Sequence, residues 1–147
     1  MKKLAILGKL PTKFYAPFDD KNYDIWAFNV HTEPLPRVDV WFDIHTNNPN
    51  PNAHIRRNNF PFEDVENLVG GRYYNNTVSY LLAYAILKGY KDIDLYGIRF
   101  DIDKERRKLE YQNFRELLFF AKGKGINISA PFDNQIFKEY ARYGENG

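Results

Sequence analysis

LAYAILKGYKDIDLYGIRF (residues 82–100) contains the strongest signal of fold class in the chain. Its first half has the apolar spacing of a covered helix, Gly89 ends that helix, and DIDLYGI follows as a buried strand. The strand stops at Arg99, Phe100 and Asp101. A helix that leads through a short turn into a buried strand is typical of a parallel sheet. Because ligands bind where the strands of such sheets end, this strand end is a candidate binding site.

Three apolar runs precede this stretch and predict strands, at residues 4–7, 23–29 and 38–45. The first is uninterrupted and bounded by Gly8 and Pro11, which is typical of a strand buried on both faces. Residues 46–59 are rich in Asn and Pro and predict a loop.

Helical spacing marks the second half of the chain. The helix before Gly89 has Asn75 or Asn76 as its N-cap, and residues 105–122 predict another helix. GINISAP predicts a last strand, and residues 133–144 predict a short helix capped by Asp133 and ended by Gly144.

The order of these elements predicts one α/β domain over residues 1–147, a Rossmann-like three-layer fold with a mainly parallel sheet of about five strands. The early crossovers have the composition of loops rather than of full helices. We expect the binding crevice at the carboxyl ends of the first, second and fourth predicted strands.

Composition excludes several classes of function. The 21 basic and 19 acidic residues leave a net charge of +2, too little for a duplex nucleic acid partner. The chain has no cysteine, which removes disulfides and thiolate chemistry and fits a cytoplasmic location, the host cytoplasm if a phage encodes it. The apolar run in MKKLAILGKLP ends at Gly8, which favours a strand over a signal peptide, and no stretch predicts a membrane partner.

Aromatic residues are abundant, with 12 Phe, 11 Tyr and 2 Trp. They can fill the core, stack on a flat ligand or cover an interface. So many rings are difficult to bury in one domain, so we expect a homo-oligomer. The rings that are hard to bury include Phe14, Tyr15, Phe18, Phe119, Phe120 and Phe137, and exposed aromatic patches usually mark an interface.

The loop GKLPTK, residues 8–13, follows the first strand and is the first candidate site. Its backbone amides can meet a phosphate, and Lys9, Thr12 and Lys13 can donate hydrogen bonds to it. It lacks the GxGxxG pattern of dinucleotide-binding loops, so a plain strand-to-loop turn is the alternative.

The start of the long helix is the second candidate, because free amides and the helix dipole favour an anion there. Asn75 or Asn76 can cap the helix, and Thr77 adds a hydroxyl for a phosphate or carboxylate.

The third group comprises polar residues at the ends of the second and third strands, namely Asn29, His31, Asp43 and His45. Asn29 and Asp43 suit hydrogen bonds to a base or sugar, and Asp43 and His45 are candidate catalytic residues. Their spacing, with His54 in the loop, is not a diagnostic metal motif, and we expect no metal or other cofactor.

Glu110 and Tyr111 form the fourth group, on the helix after the strand end at Phe100. A carboxylate and a phenol beside the crevice can bind ribose hydroxyls, and Glu110 is a further catalytic candidate. A solvated, charged helix face with Arg106, Arg107 and Arg115 is the alternative interpretation.

The segments LAILGKLPT, YDIWAFN, WFDIH and TVSYLLAYAILKGYKDIDLYGIRF resemble the nucleotide-binding half of bacterial sialyltransferases that use CMP-sialic acid. They also resemble short Rossmann-like proteins of bacteriophages. The transferase resemblance implies that Gly8, Asn29, Asp43 and Thr77 hold a nucleotide. The chain departs from the transferases in its turn after the first strand, in having Asp43 where Asn is usual, and in having no counterpart of their catalytic His.

Residues and resemblance together predict binding of a nucleotide or nucleotide-derived metabolite, such as a nucleotide-sugar, at the carboxyl edge of the sheet. The protein would act on this ligand as a transferase or hydrolase. The alternative is a non-catalytic phage-type protein that sequesters a nucleotide signal.

Overall fold

The fold is described by a computed structural model covering residues 1–137 and 139–145. Its strands form one six-stranded sheet in the order β4-β3-β2-β1-β5-β6, with every neighbouring pair parallel. The strands are β1 (Lys3–Leu7), β2 (Tyr23–Phe28), β3 (Val40–Asp43), β4 (Ile55–Arg56), β5 (Asp92–Tyr96) and β6 (Asn127–Ser129). The predicted Rossmann-like α/β class is confirmed, with six strands where about five were expected.

Three α-helices cover one face of this sheet: α1 (Phe62–Asn67), α2 (Thr77–Lys88) and α3 (Glu105–Gly123). Asn76 is the N-cap of α2, and its Oδ1 accepts a hydrogen bond of 3.0 Å from the Ser79 amide. Gly89 ends the helix in the left-handed conformation, with φ of 93°. The predicted start and end of α2 are therefore confirmed.

The opposite face is covered by a 3-10 helix, Pro11–Tyr15, and by the loops around it. Ala16, Phe18 and Leu35 from these segments pack on the apolar side chains that β1 and β2 present to this face. This confirms that the early crossovers are mainly loops. The part of the face over β5 and β6 is polar, with Asp94 accepting hydrogen bonds of 2.6 Å from Tyr23 and Ser129.

Two predicted elements differ from the structure. Strand β4 lies inside residues 46–59, which were expected to be loop; it is two residues long and forms by pairing with β3. Near the C-terminus, a 3-10 helix covers only Asn134–Phe137, residues 139–145 are not helical, and Lys138 lies outside the described residues. The Asp133 carboxylate, expected to cap a longer helix, instead binds Thr12 and Gly97.

The strand order places a switch point between β1 and β5. From β1 the chain adds β2, β3 and β4 on one side, and it then crosses over to add β5 and β6 on the other. The segments that follow β1 and β5 leave toward opposite faces, so a crevice forms between the carboxyl ends of these two strands. Within residues 1–137 and 139–145, no helix is both long and apolar enough to cross a membrane.

Candidate functional site

An open crevice of about 410 Å³ lies at the carboxyl edge of the sheet. It is lined by Leu10, from the loop after β1, and by residues 99–103, which follow β5. Its volume is within the range of roughly 300–1,000 Å³ that is usual for ligand pockets. The ends of the first and fourth predicted strands therefore border an open space, whereas its lining residues include none from the end of the second strand, where the crevice was also expected.

Phe100 fixes one wall of this crevice. Its ring is buried and lies edge-to-face on Tyr111, with ring centres 5.7 Å apart, and it also contacts Phe114 of α3. Arg99 and Ile102 on either side are exposed. The crevice thus combines an anchored backbone with accessible charged and apolar side chains.

The predicted phosphate loop, residues 8–13, is tied to the loop after β5. The Gly8 amide donates to the Tyr96 carbonyl at 2.8 Å, and the Leu10 amide donates to the Gly97 carbonyl at 3.1 Å. The Thr12 hydroxyl donates to Asp133 at 3.0 Å and accepts from the Gly97 amide at 2.9 Å. These amides and this hydroxyl already form hydrogen bonds within the chain, so their binding of a phosphate stays a prediction. The side chain of Lys9, in the same loop, is exposed.

Asn29, Asp43 and His45 are brought together at the ends of β2 and β3. The buried Asp43 carboxylate accepts hydrogen bonds of 2.8 Å from His45 Nδ1 and from the Asn50 amide. The Asn50 side chain also donates to the Asn29 carbonyl at 3.4 Å. Asp43 therefore orients the imidazole of His45, which is 53 % exposed.

Asn29 has an unusual conformation for a residue other than glycine, with φ of 63°. Its carbonyl accepts a hydrogen bond of 2.5 Å from the Trp41 indole, and its amide donates to the Phe42 carbonyl. Its side-chain Oδ1 is buried and has no hydrogen-bond partner among the described residues. Such an acceptor is available to a donor from a ligand or from water.

His31 and Lys13 belong to a second cluster, between the loops after β1 and β2. Lys13 is 1 % exposed, and its Nζ lies 3.0 Å from His31 Nδ1 and 3.1 Å from Glu33 Oε2. Burial and the Lys13 ammonium lower the pKa of His31 to about 4. Hydrogen bonds from Thr32 and Lys13 lower the pKa of Glu33 to about 2.

At the start of α2, Asn76 contacts α3 as well as capping its own helix. Its side-chain amide donates to the Glu110 carbonyl and to Asn113 Oδ1, both at 3.3 Å. Thr77 is the first residue of α2 and is partly buried. The predicted residues Asn76 and Glu110 are thus neighbours.

The Glu110 carboxylate is buried between two arginines. Arg106 Nε lies 3.3 Å from one oxygen, and Arg107 Nη1 lies 2.8 Å from the other. Arg115 lies over the Tyr111 ring at 5.9 Å. Both oxygens of Glu110 therefore have partners, an arrangement typical of a structural ion pair.

His54 lies directly before β4, and its Nδ1 accepts a hydrogen bond of 2.8 Å from the Trp41 amide. No group of three or more His, Cys, Asp or Glu side chains in residues 1–137 and 139–145 is arranged to hold a metal ion.

Three residues with contacts at this edge were not predicted as site residues: Glu33, Asn50 and Asp133. Asp133 binds Thr12 across 121 positions of sequence, and nothing in the local sequence signals that contact. Arg99 stands where the strand ends, so its position was visible although its role was not assigned.

No family model, curated protein or solved structure matches this chain. The resemblance to sialyltransferases and phage proteins therefore depends on the sequence motifs alone.

Proposed function

We propose that this protein binds a nucleotide or a nucleotide-derived metabolite at the carboxyl edge of its sheet. The observation that carries the proposal is the open crevice between the loops after β1 and β5. Parallel sheets bind nucleotides at such switch points because the loops diverge there and leave space for a ligand.

The lining of the crevice suits the three parts of a nucleotide. The exposed side chain of Arg99 supplies a cation for phosphate, and Lys9 lies beside Leu10 on the facing loop. Leu10 and Ile102 offer apolar contact to a base. The carboxylates of residues 101 and 103 can accept hydrogen bonds from ribose hydroxyls.

Asn29 and Asp43 extend the proposed site across the neighbouring strands. Because strands lie about 4.8 Å apart, the end of β3 is on the order of 10 Å from the end of β1. An extended nucleotide-sugar can cover that distance. The unpartnered Oδ1 of Asn29 would accept a donor from its base or sugar.

A catalytic role is favoured by the pair of Asp43 and His45. A buried carboxylate that holds Nδ1 of an exposed imidazole leaves Nε2 directed away from the pair, as in a general base. Hydrolysis or transfer of a nucleotide-linked group would then begin with proton removal from water or an acceptor hydroxyl. Tight binding without turnover would favour the sequestering alternative.

The test is calorimetric titration with the nucleotides of cytosine, uracil, adenine and guanine, together with mass spectrometry of material that co-purifies with the protein. We expect one of these classes to bind saturably, and Arg99→Gln to weaken its binding about tenfold, through loss of a charged hydrogen bond. Lys91→Gln, which removes one charge just before β5 at the other edge of the sheet, is the control. Absence of binding across the panel would reject the proposal.

A further inference from the structure

Lys13 is among the largest fully buried side chains of the described chain, with 1 % exposure. It lies in the 3-10 helix after β1, at the carboxyl edge of the sheet. A lysine is almost never fully buried unless its ammonium has a counter-charge, because removing the charge from water is costly. The partners of Lys13 therefore indicate what this position is built to hold.

The two hydrogen-bond partners of the Lys13 ammonium differ in character. His31 Nδ1 lies 3.0 Å from Lys13 Nζ, while His31 Nε2 lies 3.1 Å from the Phe28 carbonyl. A neutral imidazole that donates from Nε2 to this carbonyl accepts from the ammonium at Nδ1. His31 thus supplies a hydrogen bond but no negative charge.

Glu33 supplies the charge, with Oε2 at 3.1 Å from Lys13 Nζ. Its side chain is 46 % exposed, and the exposed Thr32 hydroxyl donates to the same oxygen at 2.7 Å. The pair is therefore asymmetric: the cation is fixed in the interior, whereas the anion comes from an exposed loop. The carboxylate can be rehydrated when it leaves, but the ammonium needs another anion.

The backbone of Lys13 adjoins the two loops that border the crevice. Its amide donates to the Leu10 carbonyl at 3.0 Å, and Leu10 lines the crevice. The Cβ of Lys13 would lie 3.0 Å from a Cβ added to Gly97, so the two residues pack closely. Gly97 precedes Arg99 by two positions in the loop after β5. The unpartnered Oδ1 of Asn29 lies at the start of the loop that carries His31 and Glu33.

We infer that Glu33 occupies an anion subsite in place of a ligand phosphate, which binds Lys13 Nζ after the Glu33 carboxylate moves out into solvent. This inference deepens the proposed function, because it assigns the phosphate of the nucleotide to Lys13. The exchange replaces one charge-assisted hydrogen bond with another, so Glu33 acts as a competitor built into the chain.

The test compares Glu33→Gln with Glu116→Gln, which removes an equal charge from an exposed position of α3. The probes are inorganic pyrophosphate and the four nucleoside diphosphates, titrated by calorimetry. We expect Glu33→Gln to bind pyrophosphate about tenfold more tightly than the unaltered chain, since a charged competitor is removed. Glu116→Gln should change the affinity little.

Lys13→Met in the Glu33→Gln background should abolish the gain, and thermal melting shows whether this variant folds. Equal effects of Glu33→Gln and Glu116→Gln, or weaker binding by Glu33→Gln, would overturn the inference without depending on the lysine variant. Nucleotide binding that Glu33→Gln leaves unchanged would reject the subsite but keep the proposed function. Pyrophosphate binding that Glu33→Gln strengthens, without binding of any nucleotide, would support the subsite but reject the proposed function.

Discussion

Gly8 and Gly97 face each other across the switch point with no room for a side chain on either. A Cβ on Gly8 would lie 2.4 Å from the Gly97 carbonyl oxygen, and one on Gly97 would lie 2.7 Å from the Gly8 carbonyl oxygen. Gly97 also has φ of 68°, in the left-handed region. The approach of the two backbones sets the position of both loops that border the crevice.

We expect Gly8→Ala to lower the free energy of unfolding by about 1–3 kcal/mol, because backbone must move to relieve the contact. Gly97→Ala should cost about 2–5 kcal/mol, since the left-handed conformation adds strain to the contact. Chemical denaturation measures both. Gly123 lies at the end of α3, where an added Cβ would meet no neighbouring atom within 4 Å. Gly123→Ala should therefore leave the free energy of unfolding unchanged or slightly raised. Wild-type stability in both loop variants would show that the loops adapt freely.

The sequence predicts much of this fold because its signals are local. The apolar run before Gly8 and the helix that ends at Gly89 each follow from short-range patterns, and both are present in the structure. Strand β4 could not be predicted in the same way. Its two residues are too few to show the alternation of apolar and polar side chains that marks a strand, and they become a strand only by pairing with β3.

We expect the free energy of unfolding to fall as pH decreases from about 6.5 to about 4. The pKa of His31 is lowered to about 4 by burial and by Lys13. Between its ordinary and lowered pKa values the unfolded chain binds more protons than the folded one, so stability rises with pH in this window. Urea unfolding at several pH values between 4 and 7 measures the slope.

His31→Gln keeps a hydrogen-bond acceptor for Lys13 and should remove most of this slope. His45→Gln, which leaves His31 in place, should retain it. Glu33 acts in the same direction at lower pH, because its pKa is lowered to about 2, and its contribution is lost as pH falls from about 4.5 toward that value. An unchanged slope in His31→Gln would show that other groups control acid stability.

The candidate site was predicted in part, for a physical reason. Polar residues at strand ends are visible in sequence, so the sequence predicts that Asn29 and Asp43 lie together, and the parallel pairing of β2 with β3 brings them to one edge. Their contact with a ligand stays a prediction. Glu33 lies in an irregular loop that has no periodic pattern. Its contact with Lys13 depends on how two loops fold against each other, so the sequence gives no signal for it.

If the protein is an enzyme, His45→Gln should reduce turnover by about 10²- to 10⁴-fold with little change in nucleotide affinity, as expected for loss of a general base. Asp43→Asn should lower turnover too and also destabilise the fold by about 1–3 kcal/mol, because buried hydrogen bonds are lost. Mass spectrometry of products and calorimetry separate the two effects. His54→Gln, at an imidazole bonded to the Trp41 amide, is a control for loss of a histidine. Full turnover in His45→Gln would exclude it as the base.

Association of copies stays a prediction, with a specific surface to test. Tyr15 stacks on Phe132 at 4.4 Å, and the two rings are 64 % and 51 % exposed. Phe14 and Phe119 are also exposed, whereas Phe18, Phe120 and Phe137 are partly buried. We expect a dimer or tetramer by sedimentation, weakened by Tyr15→Lys but not by Tyr73→Lys, which alters an equally exposed ring. A monomer at high micromolar concentration would contradict this.

Thr77 distinguishes a ligand contact from a helix cap. Asn76 already caps α2 by accepting from the Ser79 amide, so the Thr77 hydroxyl is not needed for capping. At the first position of the helix it lies beside amides without helical partners, where the dipole favours an anion. Thr77→Val keeps the shape of the side chain and should leave the melting temperature nearly unchanged. It should weaken nucleotide binding by about 1–3 kcal/mol if the hydroxyl donates to a phosphate.

Asn76→Ala is the matched control, because it removes the cap and should lower the free energy of unfolding by about 1 kcal/mol. Calorimetry and thermal melting on both variants give the comparison. Weaker binding with intact stability in Thr77→Val, against lowered stability in Asn76→Ala, would place one phosphate group of the ligand at the start of α2. Unchanged affinity in Thr77→Val would remove Thr77 from the site. The phosphate would then have to be sought at Lys13 or Arg99, on the loops that follow β1 and β5.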